Sequence, residues 1–426
     1  MGRARGGCAP SPSFSARTLR RRVVARSPSA RASARSAPER PAPARLSAAR
    51  SSAARLAAVR LASALREWRA PRRLGLSDTH HSSTSKGRAD CFGPQSHISI
   101  TVPTRHVKAP QTRPSRTVRG VELVITGAAG QVGSALVAGA AARGIAARAL
   151  GRGELDVTSA RSVAELALGP STVLINCAAH TAVDAAESEP DAAQALNGVA
   201  PGLLAARCAD AGARLVHVST DYVFGPAPEP PRPWEPGDRT GPSSVYGRTK
   251  LAGEEAARAA DPRTVVVRTA WVYTGRGADG AWAPDFVGTM GRLADGGVDP
   301  KVVDDQTGSP TYAPDLAVGL LDLALLLARE PERPGAVLHA AGGGAATWFD
   351  VARRVFARAG ADAARVSPCT TAEFPRPAPR PAYSVLSAAA WSAWGLAPLP
   401  DWRDALDRAL GAPPGTGLSL PSHPAR

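Results

Sequence analysis

The run Val121-Glu122-Leu123-Val124-Ile125-Thr126 passes straight into Gly127-Ala128-Ala129-Gly130-Gln131-Val132-Gly133 and then into an alanine-rich stretch ending near Arg143. A short apolar, β-branched run reads as a buried parallel strand, and the alanine-rich stretch as a helix. The turn between them has a glycine at every third position. Gly127 permits a tight turn, Gly130 lets backbone N–H groups approach a pyrophosphate, and Gly133 lets the helix pack closely on the strand. Strand, glycine turn and helix in this order constrain the chain to an α/β fold that binds a dinucleotide. Gln131 and Val132, which open the helix, join Gly127 and Gly130 as candidate cofactor contacts.

The same alternation continues down the chain. A strand over residues 145–150 leads into Gly151-Arg152-Gly153-Glu154-Leu155-Asp156. Arg152 stands where a guanidinium meets the 2′-phosphate of NADPH, and a solvated loop arginine is the competing reading; NADH stays open. Asp156, in an Asp/Thr turn, suits either adenine contact or capping of the next helix. A third strand over residues 173–179 ends in Ala178 and Ala179, small enough to leave room for the cofactor. His180 to Asp184 then opens what reads as one long helix. The fourth strand, residues 215–220, ends on Thr220, at the strand end where open α/β sheets bind ligands, and Asp221 follows it.

After a proline-rich loop comes Ser243-Ser244-Val245-Tyr246-Gly247-Arg248-Thr249-Lys250. Tyr246 and Lys250, four apart, share one helix face, and an ammonium beside a phenol favours phenolate. Such a pair alone also occurs on solvated helices; Thr220 and the glycine turn upstream are what mark it. A strand over residues 264–268 and an apolar helix over residues 313–328 follow. The expected fold is α/β: a Rossmann-like doubly wound parallel sheet with a smaller C-terminal substrate-binding region. Its expected divisions are an NAD(P)-binding domain over residues 119–275 and a mainly substrate-binding α/β region over 276–410.

Charge sets the first segment apart. Residues 1–118 carry 24 of the 52 Lys and Arg but 4 of the 36 Asp and Glu, a net of +20 against −4 for the remainder. Without a sustained apolar period, this basic extension is expected to be disordered, as is the tail over 411–426. It reads best as a start-site artefact, since it is proline-rich and longer than most targeting peptides; a transit peptide and a nucleic-acid or membrane arm are the alternatives. The folded part then calls for no nucleic acid, and no apolar run is long enough to span a membrane. The five scattered cysteines form neither a disulfide framework nor a zinc motif, so a cytoplasmic protein without a structural metal is expected.

Over residues 121–410 the sequence resembles the extended short-chain dehydrogenase/reductases, and within them the reductases of nucleotide-linked 4-keto-6-deoxyhexoses. The resemblance rests on the glycine turn, Leu155-Asp-Val-Thr158, Asn176-Cys-Ala-Ala-His-Thr-Ala-Val-Asp184, Ser219-Thr-Asp-Tyr-Val-Phe224, Val245-Tyr-Gly-Arg-Thr-Lys250, Arg268-Thr-Ala-Trp-Val-Tyr273, Asp305-Gln-Thr-Gly-Ser-Pro-Thr311 and Arg380-Pro-Ala-Tyr-Ser384. The pattern usually has Tyr at His180 and Ser at Ala270. The resemblance implies that Thr220, Tyr246 and Lys250 are catalytic, and that Tyr246 and Lys250 also touch the cofactor. It further implies that Asp221, Trp271, Gln306, Thr311 and Arg380 face the substrate; Arg380 offers a fork for a diphosphate, and otherwise is a solvated loop charge. The implied reaction is NADPH-dependent reduction of the C4 ketone of dTDP-4-dehydro-6-deoxy-L-mannose to dTDP-L-rhamnose. An epimerase or reductase of another nucleotide sugar and a non-catalytic nucleotide-binding subunit are the alternatives. A homodimer and a Mg²⁺ ion at a subunit contact are left open by the resemblance, and no dense carboxylate cluster demands the metal.

Overall fold

The computed structural model describes residues 121–411 apart from Ala278. The expectations for residues 1–118 and for the tail beyond Gly411 lie outside the described residues. Six strands, β1 Glu122–Thr126, β2 Ala147–Leu150, β3 Thr172–Asn176, β4 Arg214–Thr220, β5 Val265–Thr269 and β6 Val337–His339, form one sheet. Its order is β6-β5-β4-β3-β1-β2, and every pairing is parallel. The order reverses between β1 and β3. A crevice opens outside the carboxyl ends of the strands at such a reversal.

Alternation along the strands assigns the two faces. Leu123 and Ile125 of β1 cluster with Val173 and Ile175 of β3, and are covered by Leu136 of helix α1 (Gln131–Ala142) and by Leu316 and Leu320. Val124 and Leu174 point the other way, with Leu215, onto Leu204 of α2 (Ala200–Ala211) and Ala257 of α3 (Val245–Ala260). Helices therefore cover both faces, as a parallel sheet requires. A separate apolar cluster is built beyond residue 270: Val287 and Met290 of α4 (Phe286–Asp295) meet Val355 and Phe356, with Trp402 and Leu406. The next helix, α5 (Ala313–Arg329), returns to the main sheet, as does β6. Helices α6 (Trp348–Arg358) and α7 (Trp402–Leu410) complete the second cluster. Thr347 caps α6 in a reciprocal capping box with Asp350.

One expectation fails. The segment after β3 is not one long helix but a short helix Val183–Ser188, a break at Glu189, a turn of helix Pro190–Ala193, and a π-helical turn Gln194–Val199 leading into α2. Pro190 has no N–H for a continuing helix and disfavours helical geometry at Glu189. A parallel pair, Val272–Tyr273 with Thr311–Tyr312, extends β5 toward the second cluster. It brings the 300s loop alongside the end of β5.

Candidate active site

The site is built where β4 ends and α3 begins. Thr220 is the last residue of β4; its hydroxyl donates to Asp221 Oδ1 at 2.9 Å and accepts from the Tyr222 amide at 3.2 Å. Ser244 caps α3 by accepting from the Gly247 amide, which sets Tyr246 in the first turn. Tyr246 is 9% exposed, edge-on to Tyr222 with ring centroids 5.4 Å apart. Burial pushes its hydroxyl up to about 12, against the Thr220 hydroxyl, which lowers it. Tyr246 therefore stays protonated through the neutral range.

Lys250 lies one turn further along, 2% exposed, and its ammonium bonds to β4 rather than to the Tyr246 hydroxyl. Its ammonium donates to the Val218 carbonyl at 2.7 Å, with His217 Nε2 at 3.5 Å. The lysine side chain is long enough to turn beneath β4, where that carbonyl is open to it. Burial pulls Lys250 down to about 8, opposed mainly by Glu254. Glu254, the next turn of α3, takes the Ser219 hydroxyl and the fork of Arg268 at 2.7–3.2 Å, a buried and fully bonded pair. On the far side, Thr126 donates to Asn176 Oδ1 at 2.7 Å and Asn176 Nδ2 meets His217 Nδ1 at 3.1 Å. Side chains thus run from the glycine turn to the lysine.

The glycine turn fits a dinucleotide. Gly127 has φ +66°, and a Cβ there would sit 2.6 Å from the Ala178 amide nitrogen, so Ala178 and Gly127 meet backbone to backbone at the sheet reversal. Gly130 caps α1 with no side-chain acceptor, leaving the first N–H groups of the helix for an anion. Gln131 donates to Asp285 Oδ2 at 3.1 Å, and Val132 packs into the core beneath. Ala179 is half-buried beside Ala178, and Arg152 is exposed in the turn after β2. Asp156 does not cap the next helix. It accepts from the amide and hydroxyl of Thr158, and Ser159 is the cap, because its side chain reaches the Ser162 amide. The Thr158 hydroxyl bond is the main cause holding Asp156 below its usual range.

The predicted substrate residues divide into two groups. Asp221 is buried beside Thr220, and burial raises its carboxyl to about 6 against the Ser384 and Thr220 hydroxyls. Arg380 pairs with Asp184 at 3.0 Å and lies close enough to Tyr222 for its charge to act on that phenol. Trp271 takes φ +47°, alone among the described non-glycine residues in the left-handed region, and stacks on Trp348 with centroids 3.6 Å apart and 5° between planes. Trp348 in turn donates to Gln306 Oε1 at 3.2 Å, while the Gln306 amide donates to Thr371. Thr311 is fully buried and turned inward: its hydroxyl donates to Ser309 O and accepts from Gly342, and its amide donates to Trp271 O. It is placed to hold Trp271 rather than to meet a ligand. Among the described residues, no three His, Cys, Asp or Glu side chains converge as a metal site would need.

Residues 121–412 match the RmlD substrate binding domain. The chain belongs to that family. It is 52% identical over 299 residues to a dTDP-4-dehydrorhamnose reductase of Mycobacterium tuberculosis, covering 69% of this chain and 94% of the relative. It is 48% identical over 298 residues to a probable dTDP-4,6-dihydroxy-2-methyloxan-3-one 4-ketoreductase of Streptomyces antibioticus, covering 67% and 94%. Among solved structures, the dTDP-4-dehydrorhamnose reductase of Bacillus anthracis in complex with NADP is similar at a TM-score of 0.60 and 32% identity, covering 68% of this chain and 98% of that one. Within this member of the RmlD family, reading the sequence missed Asp285, Asp184, Trp348, His217 and Glu254. Glu254 had a signal, standing four residues after Lys250 as Lys250 does after Tyr246; Trp348, by contrast, reads as the apolar start of an amphipathic helix. Among the described residues no helix is long and apolar enough to cross a membrane.

Proposed function

We propose that this RmlD-family protein is an NADPH-dependent reductase of the C4 ketone of a dTDP-linked 4-keto-6-deoxyhexose, with dTDP-4-dehydro-6-deoxy-L-mannose as substrate and dTDP-L-rhamnose as product. The observation that carries this reading is the convergence of the Thr220 hydroxyl and the protonated Tyr246 at the end of β4, with Lys250 buried behind them. The residues around the glycine turn suit the cofactor: the α1 N-terminus would hold the pyrophosphate, Ala178 and Ala179 would leave room beside it, and exposed Arg152 would face the 2′-phosphate. When bound, the nicotinamide supplies the hydride. The protein's part is to hold the C4 oxygen and give it a proton. Tyr246, protonated at neutral pH, is suited to donate to a developing alkoxide, and Thr220 has a hydroxyl to fix the same oxygen. Asp221, Trp271 and Arg380 would meet the sugar nucleotide, with Gln306 and Thr311 acting through Trp348 and Trp271.

The test is oxidation of NADPH by the purified protein and by residues 118–426, with and without dTDP-4-dehydro-6-deoxy-L-mannose made in situ. Substrate-dependent oxidation by both forms is expected, with dTDP-L-rhamnose as product. Absence of oxidation in both forms would sink the reading. A second reading, reduction of a different dTDP-4-keto sugar, is favoured by the Streptomyces antibioticus relative and by Ala270, which packs in one cluster with Trp271, standing where Ser is usual. Oxidation with a dTDP-4-keto sugar of different C3 or C5 configuration, or with different ring substituents, in place of the first substrate would select it.

A further inference from the structure

Residues 375–381 read Pro-Arg-Pro-Ala-Pro-Arg-Pro, so four of the seven positions lack a backbone N–H. Such a loop has little with which to bond itself to the fold. One carboxylate, Asp184 from the short helix Val183–Ser188, collects what the loop does offer. Asp184 Oδ2 accepts from Arg376 Nε at 3.1 Å and from Arg376 Nη2, and Oδ1 accepts from the buried Ala378 amide at 3.2 Å. Arg380 Nη2 stands 3.0 Å from the same Oδ1, while Arg380 Nη1 donates to the Ala378 carbonyl. Two guanidinium groups thus share a single carboxylate, which leaves a positive charge for an incoming anion.

The same short helix also reaches the catalytic helix. Glu187, three residues and so nearly one turn beyond Asp184, accepts from the Val245 amide at 2.7 Å, at the first residue of α3. Ala186 and Val183 pack with Tyr222 and Tyr246 in one apolar cluster. Helix Val183–Ser188 therefore holds α3 with one carboxylate and the arginine loop with another, and the spacing between Tyr246 and Arg380 is set through it.

We propose that Asp184 is a positioning residue for substrate binding: it anchors the arginine loop so that Arg380, with Arg376 beside it, is presented to the diphosphate of the sugar nucleotide at a fixed distance from Tyr246. This rests on the dTDP-sugar reading above. The anchoring effect and the charge effect of Asp184 have opposite signs. Removing a competing carboxylate by itself frees the arginines and tightens an anion; removing the anchor disperses them and weakens it. With so few backbone donors in the loop, the anchor dominates.

The experiment measures dTDP and NADPH affinity by calorimetry, and steady-state turnover, for the full chain and its Asp184→Ala, Asp184→Asn, Arg380→Ala and double Asp184→Ala/Arg380→Ala variants. Asp184→Ala is expected to raise the dTDP Kd about tenfold, or about 1.4 kcal/mol, and KM with it, while kcat and the NADPH Kd stay close to those of the unsubstituted chain. Asp184→Asn, which keeps the acceptor oxygen, should lie between the two. In the Arg380→Ala background the further loss should shrink to less than about threefold, because the two residues act as one unit. Unchanged or tighter dTDP binding by Asp184→Ala, full additivity with Arg380→Ala, or an equal loss of NADPH affinity would each overturn the proposal. Failure of the unsubstituted chain to bind dTDP would instead overturn the dTDP-sugar reading, and this one along with it.

Discussion

Tyr246 combines burial with a hydroxyl neighbour, and that combination decides its behaviour. Replacing it by Phe removes the hydroxyl proposed to donate the proton without changing ring packing, so kcat should fall by roughly 10²–10⁴-fold. NADPH affinity should stay within about twofold; stopped-flow turnover beside a binding titration checks both. Asp221 gives the clearest linkage to pH. Its folded-state carboxyl is raised to about 6 by burial, from an ordinary value of 3.8. The stability it contributes is therefore fully present below about pH 4 and is lost as pH rises through about 6. Asp221→Asn should stabilise the protein at pH 7.5 by up to about 3 kcal/mol and by almost nothing at pH 4, read from urea midpoints at the two pH values. Activity should change little in the same variant, because the Asn side-chain oxygen can still accept from the Thr220 hydroxyl; Asp221→Ala, which removes that acceptor, should lower it.

At the scale of elements, the broken helical segment after β3 explains how α3 is seated. Asn197, in the π-helical turn, accepts from the His180 amide, donates to the His180 carbonyl and donates to the Thr249 hydroxyl on α3. One side chain therefore ties the loop after β3 to α3, which carries Tyr246 and Lys250; π-turns are often found at functional sites. The approach is close: a Cβ on Gly253 of α3 would lie 2.0 Å from the Asn197 carbonyl oxygen. Gly253→Ala should cost about 1–3 kcal/mol of stability by overpacking and shift Tyr246 with its helix. The expected signature is a lower Tm and a fall in kcat larger than any loss of NADPH affinity. An unchanged Tm and kcat together would show that α3 can move away without consequence.

In the whole molecule, one carboxylate joins the cofactor turn to the C-terminal cluster. Asp285 caps α4 through the Gly288 amide, accepts from the Thr274 and Gly275 amides, and accepts from Gln131 at the start of α1. Asp285→Ala should lower stability by about 1–2 kcal/mol through the lost cap and loop bonds. It should also weaken NADPH binding severalfold by releasing Gln131, a change that a cap with no part in the site would not produce. Much of the frame was legible in the residues themselves. The sheet follows from runs such as residues 121–126 and 172–176, the turn from glycine at Gly127, and the shared face of Tyr246 and Lys250 from their spacing of four on one helix. These depend on periodicity and turn chemistry, which neighbouring residues encode. The helical break at Glu189 was also readable in Pro190, yet the acidic, alanine-rich run on either side masked it. What the chain alone could not reveal is which distant groups meet. Gln131 reaches Asp285 across 154 positions, and Arg376 reaches Asp184 across 192. The direction of Lys250 toward Val218, the inward turn of Thr311 and the Trp271–Trp348 stack are of the same kind. Local sequence sets which backbone an element adopts, whereas the partner of a long polar or aromatic side chain is chosen by whichever surface the packed layers bring within its reach.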